Sequence, residues 1–174
     1  MKQYEQRLMW GHHNSLWNTV EVVEEVLNSP ECFDELFSCY QSDNETVKLR
    51  VSNAMKRIVA AKPEMILPYL DRFIDEVSVL EQPSAQRTFS QLMLTVQSEL
   101  SITQRNQTIS IIFRYLQDSS DWIVLTTSMK TLAEWAKDDQ SVKTKLLPYL
   151  QHLTQDSRKS VSWRATKLLN KLMV

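Results

Sequence analysis

A single glycine, Gly11, serves the whole 174-residue chain. An average soluble protein carries about 7%. Tight hairpin turns, Rossmann-type loops and phosphate-cradling loops depend on glycine for positive φ or for close backbone approach. A chain almost without it is poorly equipped for any of them, and the fold class that remains is all-α. Hydrophobic and charged shares of 43% and 24% are those of a folded domain rather than a disordered segment. A compact fold of this length buries roughly 70% of its unfolded surface, enough for one core without covalent staples.

Self-similarity at long period then organises the chain. ILPYLDRFID, beginning at Ile66, is echoed by LLPYLQHLTQ, beginning at Leu146, 80 residues on. Between them ISIIFRYLQD places Ile109, Ile112 and Leu116 on one helical face. Each segment is preceded by a second apolar pattern, i, i+4, i+7, i+8, i+11, which covers one side of a 3.6-residue helix. Val47, Val51, Ala54, Met55 and Ile58 are its best copy, and Ala85, Phe89, Leu92, Met93 and Val96 repeat it. Val124 through Leu132 to Trp135 form a third, weakened by Ser128 and Thr131, and Val161, Ala165, Leu168, Leu169 and Leu172 a fourth. Leu16, Val20, Val23 and Leu27 are a degraded first copy, with Glu24 at an apolar place. Hairpins are therefore expected at about 14–42, 43–80, 81–119 and 120–157, with a terminal half-repeat at 158–174, all in one domain.

Punctuation fits that division. Ser42 with Glu45, and Ser101 with Gln104, have capping-box spacing. Ser29-Pro30 reads as N-cap and first helical position, and Pro63 and Pro83 also suit first turns. Asp118-Ser119-Ser120-Asp121 and Asp156-Ser157 mark breaks. Pro68 and Pro148 fall inside predicted helices, so each is expected to kink its helix or to mark a late start.

Paired helices every 37–40 residues, the first carrying V-x-x-x-V-x-x-A-M and the second LLPYL, resemble the HEAT repeat from about residue 14 to 174. HEAT repeats often begin Asp-x-x-Val-Arg. Asp43 with Val47-Lys48, and Asp121 with Val124-Leu125, keep the acid and the valine but not the arginine. The label is therefore HEAT-like, and the armadillo type shares its superhelix. The resemblance implies a right-handed α-α superhelix (solenoid) of about 4–5 hairpins, with second helices on the concave side and stacking neighbours completing the core. It also implies that the last helix, 160–173, caps the row with a wet outer face bearing Arg164, Lys167 and Lys171.

Net charge is −1, so no global basic field draws in nucleic acid. The distribution is uneven: residues 1–46 sum to −7 and residues 121–174 to +4. Cys32 and Cys39, seven apart on one predicted helix, are separated by about 10 Å and cannot pair. They read as small apolar residues in a reducing compartment. The opening MKQYEQRLMWGHH lacks the apolar run of a signal peptide. A soluble, cytoplasmic protein is expected, without membrane contact.

Candidate surfaces follow from register. Arg72, Arg114 and His152 fall at the same step after Leu67, Ile109 and Leu147, which would stack them as a basic ladder on the concave face. Long polar side chains on a solvated helix also recur by chance. Trp163, Arg164, Lys167 and Lys171 form a candidate polyanion patch, although a tryptophan in a solenoid more often packs on the next repeat. Trp135 occupies a core place, and Trp17 follows one. His12-His13 lacks a third ligand at zinc spacing, reads as a loop before an N-cap at Asn14 or Ser15, and no metal site is expected.

Catalytic motifs are missing: no G-x-S-x-G, P-loop, H-E-x-x-H or CxxC occurs, and Glu24-Glu25 and Asp138-Asp139 diverge by about 100° on a helix. The expectation is a non-catalytic, cofactor-free scaffold or adaptor that binds another protein. The alternative is a nucleic-acid binder resembling in outline the alkylated-base DNA glycosylases of the same superhelix. Those use a strongly basic groove, which the acidic N-terminal third disfavours.

Overall fold

The computed structural model describes residues 3–10 and 17–173, with Trp17 described by its backbone alone. Every regular element among them is helical. The chain forms two compact units, Met1–Glu99 and Leu100–Val174.

In the first unit α1 (Gln3–Met9) is followed by α2 (Trp17–Asn28), a 3₁₀ turn at Pro30–Cys32, α3 (Phe33–Ser38) and a second 3₁₀ turn at Cys39–Gln41. Next comes α4 (Glu45–Ala61). The next stretch changes winding three times: 3₁₀ over Pro63–Tyr69, one α turn (α5, Leu70–Arg72) and a π turn over Phe73–Val77. The unit ends with α6 (Pro83–Thr95) and a 3₁₀ turn at Gln97–Glu99.

Helix α4 packs between α2 and α6, so the first-type helices adjoin in chain order. Val47, Val51, Ala54, Met55 and Ile58 are all fully buried there, as are Ala85 and Phe89 on α6. Burial of side chains this size stabilises by roughly 1.5–3 kcal/mol each for the large ones. Aromatic rings join the segments between. Phe37 meets Tyr69 at 5.3 Å and Phe73 at 5.7 Å, and Phe73 stacks on Phe89 at 6.1 Å with the planes 11° apart.

The second unit contains α7 (Ile102–Asp118), α8 (Trp122–Trp135), α9 (Gln140–Leu153) and α10 (Lys159–Met173). Here α8 packs on α7, α9 and α10, and Phe113 of α7 meets Tyr149 of α9 at 5.6 Å. Val161, Ala165, Leu168 and Leu172 turn inward from α10, while Leu169 is half-buried. Trp135 is buried, as its register requires, and Ser128 and Thr131 are buried with it.

Several local expectations need correction. The α4 cap is Asn44, not Ser42: its side chain accepts from the N–H groups of Thr46 and Val47. Ser42 closes the preceding turn, and its hydroxyl accepts from Asn44 N–H at 3.2 Å. Asparagine is as good a cap as serine, and Asn44 is the extended residue directly before the first helical position, Glu45. The Ser101–Gln104 box forms with both of its bonds. On α2 the buried face is Thr19, Val22, Val23 and Val26, and Val20 is exposed. Two valines at adjacent places allowed either register, and packing against α4 selects this one.

Cys32 and Cys39 do not share one helix, since 3₁₀ turns flank α3, and neither is in a disulfide. Gly11, His12, His13, Asn14, Ser15 and Leu16 lie outside the described residues.

The two LPYL segments fold differently. Pro148 sits inside α9, which runs on to Leu153 after Asp139 has capped its start and two turns have formed. Pro68 follows Pro63 within one and a half turns of a start without a side-chain cap, and the α form begins only at Leu70. Two missing N–H donors so close together leave too few bonds to propagate an α-helix.

Asp139 ties three parts of the second unit together. Its Oδ1 accepts from Ser141 and Val142 N–H and from the Ser141 hydroxyl, and its Oδ2 accepts from Arg105 Nη1 at 2.8 Å. The Ser141 hydroxyl and then Arg105 hold the carboxyl well below its usual 3.8. The unfolded chain therefore binds the proton first on acidification, and this contribution fades as pH drops below about 4. Asp139→Asn keeps a capping oxygen but loses the ion pair. Thermal melts should place it below wild type by up to about 1 kcal/mol at pH 7, and the gap should narrow progressively as pH falls below about 4. A gap independent of pH would contradict this.

Candidate functional site

The outer face of α10 carries the clearest concentration of exposed aromatic and cationic groups in the second unit. Its inner stripe, spaced i, i+4, i+7, i+11, is held by α8 and α9. That leaves Trp163 pointing outward, 59% exposed. The Arg164 guanidinium lies 5.5 Å from its ring centroid and the Lys167 ammonium 5.1 Å. Both are within cation–π range, worth about 0.5–1 kcal/mol each at a wet site. The contacts fix the rotamer of a large apolar ring while leaving much of it open.

Lys171 is drawn off this group. Its ammonium lies 3.6 Å from Glu134 Oε1 on α8, and Glu134 also bonds Lys137. These two lysines hold the Glu134 carboxyl below its ordinary value, Lys137 through the stronger hydrogen bond. Of the four patch residues, then, the structure unites Trp163, Arg164 and Lys167 and turns the fourth toward α8.

Trp122 was not singled out by the sequence pattern. It opens α8 directly after its cap, Asp121, whose side chain accepts from Ile123 and Val124 N–H. It is 49% exposed. Arg158, one residue ahead of α10, donates from Nη1 to the Ser120 carbonyl and forms a forked pair with Asp156. This fork holds Asp156 down at about 2. The starts of α8 and α10 therefore adjoin, each with an exposed indole in its first two turns. The available signal was register: Trp122 stands two places, about 200° of helix, before Val124, which begins the buried stripe of α8.

The ladder residues have unlike surroundings. In the first unit Arg72 pairs with Asp34 and Glu76, each at 2.7 Å, and lies 4.5 Å over the Phe37 ring. In the second, Arg114 is exposed beside the Tyr115 ring and His152 is exposed in the last turn of α9. Arg72 is thus a structural clamp between α3 and the π turn.

Among the described residues no group of three or more histidines, cysteines, aspartates and glutamates is placed to hold a metal ion. No described helix is long and apolar enough to cross a membrane. No protein-family model and no curated protein matches this sequence.

Proposed function

We propose that the chain is a non-catalytic scaffold of HEAT-like helical hairpins that binds an acidic protein through the outer face of α10. The observation that carries this reading is Trp163, largely open and braced by Arg164 and Lys167. Tryptophan and arginine dominate the energetic centres of protein interfaces, and a cationic rim speeds capture of an acidic partner. Chain-order packing of α2, α4 and α6, and of α8 with α10, supports the hairpin reading. Two cysteines outside any disulfide suit a reducing cytoplasm.

The same three side chains support nucleic acid as the second reading, since an indole between cations stacks a base. A net charge of −1 and the −7 carried by residues 1–46 weigh against it.

Affinity capture, followed by direct titration of the recovered protein, tests the proposal. Trp163→Ala with Lys167→Glu should weaken binding about tenfold or more, because both an anchor and an ion pair are lost. An undiminished affinity would end this reading. Retention of labelled duplex DNA that falls steeply with salt would favour the other.

A further inference from the structure

Most described cations of the first unit meet a carboxylate or the backbone carbonyls of another helix, and one group of three does neither. Arg7 pairs with Glu25 and Glu21, Lys48 with Glu45, and Arg72 with Asp34 and Glu76. Arg50 donates to the carbonyls of Leu8 and Trp10, and Lys62 to that of Leu27. Lys56 and Arg57 on α4 and Arg87 on α6 are the remaining described cations, and among the described residues no carboxylate bonds any of them.

Their partners are neutral and few. Arg57 Nε donates to Asn53 Oδ1 at 2.8 Å, one turn back on its own helix. Arg87 Nη2 donates to Ser84 Oγ at 3.3 Å, while its Nε is enclosed and meets no acceptor. Helices α4 and α6 are locked at this level by Thr88, whose hydroxyl donates to the Ser52 carbonyl at 3.5 Å. Lys56 is half-buried, and its pKa is lowered first by that burial and then by repulsion from Arg87 and Arg57.

Like charges drawn together and partly stripped of water destabilise a fold unless a counter-charge enters. The lack is of an anion with several acceptor oxygens, because Arg57 and Arg87 each meet one neutral acceptor and their remaining Nη donors need acceptors as well as charge. A carboxylate supplies one charge. A phosphate monoester brings −1.5 to −2 with three oxygens, the match that arginine forks and a lysine ammonium make.

We infer that Lys56, Arg57 and Arg87 form a binding site for a phosphate monoester, carried by a small molecule or by a phosphorylated side chain. The site lies in the other unit from α10 and does not rest on the binding role given to that helix.

Titration of the full chain with inorganic phosphate at constant ionic strength tests it, read by the ¹⁵N resonance of the Arg87 Nε–Hε group. That resonance should shift and saturate with phosphate and stay still with chloride. Arg87→Lys keeps the charge but loses the fork, and should weaken the phosphate-dependent stabilisation about tenfold in concentration. Lys56→Met supplies a second readout. In chloride buffer it should melt no lower than wild type, since repulsion is relieved, and it should lose the rise in Tm that phosphate gives wild type.

A phosphoserine peptide, its unphosphorylated twin and glycerol phosphate separate the sources. Tighter binding of the phosphopeptide than of glycerol phosphate assigns the group to a modified partner, and equal binding assigns a small molecule. An unmoved Arg87 resonance, or an equal rise in Tm in wild type and Lys56→Met, would overturn the inference.

Discussion

Arg50→Met should cost the first unit about 3–5 kcal/mol and release α1. Arg50 is 1% exposed, and its Nη1 donates to Leu8 O at 2.6 Å and Trp10 O at 2.7 Å. Those carbonyls belong to the end of α1, where the helix has no further N–H groups to offer and the macrodipole is negative. The guanidinium satisfies the carbonyls and the dipole together. An apolar replacement of similar volume fills the space but leaves buried oxygens without donors, so volume alone will not rescue it. Arg50→Lys keeps the charge on a single nitrogen and should recover part of the loss. Urea unfolding measures the cost, and hydrogen exchange at residues 3–9 should rise selectively. A loss below about 1 kcal/mol, or unchanged protection of α1, would refute the clamp.

Phe73→Ala should be comparably severe, by about 3–5 kcal/mol. The ring is fully buried and, from the π turn it opens, meets three other elements of the first unit: Phe37 on α3, Tyr40 in the turn after it, and Phe89 on α6. Truncation removes the ring's own burial and the edge and face contacts of its three aromatic neighbours. It leaves a cavity that proline-stiffened backbone on one side cannot collapse to fill. Phe73→Leu retains most of the volume and should cost about 1.5 kcal/mol or less. The ordering of the two variants in chemical denaturation is the check. Equal costs would show that the ring's shape is not used.

The parts of this fold that sequence makes legible are those decided locally. The stripe on α4 was readable because five apolar residues at 3.6-residue spacing admit one buried face, and all five are buried. The Ser101–Gln104 box was readable because both of its bonds lie within four residues. Where two local solutions compete, the pattern misleads. Ser42 and Asn44 are both capping residues, and adjacent valines on α2 permit either register. Helix α1 went unread because only Tyr4 and Leu8 of its seven residues are buried, and its end is secured by an arginine 42 positions away.

The surfaces follow the same rule. Trp163, Arg164 and Lys167 share a helix face, so one turn of sequence predicted their meeting. Arg72 was half legible: Glu76, four residues on, is a local i, i+4 acid, whereas the second acid, Asp34, is 38 residues distant on a neighbouring element. The cation group on α4 and α6 was invisible for a like reason: only Lys56-Arg57 is local, and Arg87 arrives through packing.

The π turn at Phe73–Val77 gives the chain one residue of slack. Ser78 N–H donates to Phe73 C=O across five positions at 3.2 Å, where an ordinary helix uses four. Loss of the outward-facing Asp75 would bring that same donor and acceptor to the standard separation. The flanking aromatic contacts of Phe73 and the entry into α6 would keep their places. Length changes between related chains can therefore be absorbed at this point without re-threading the helices on either side.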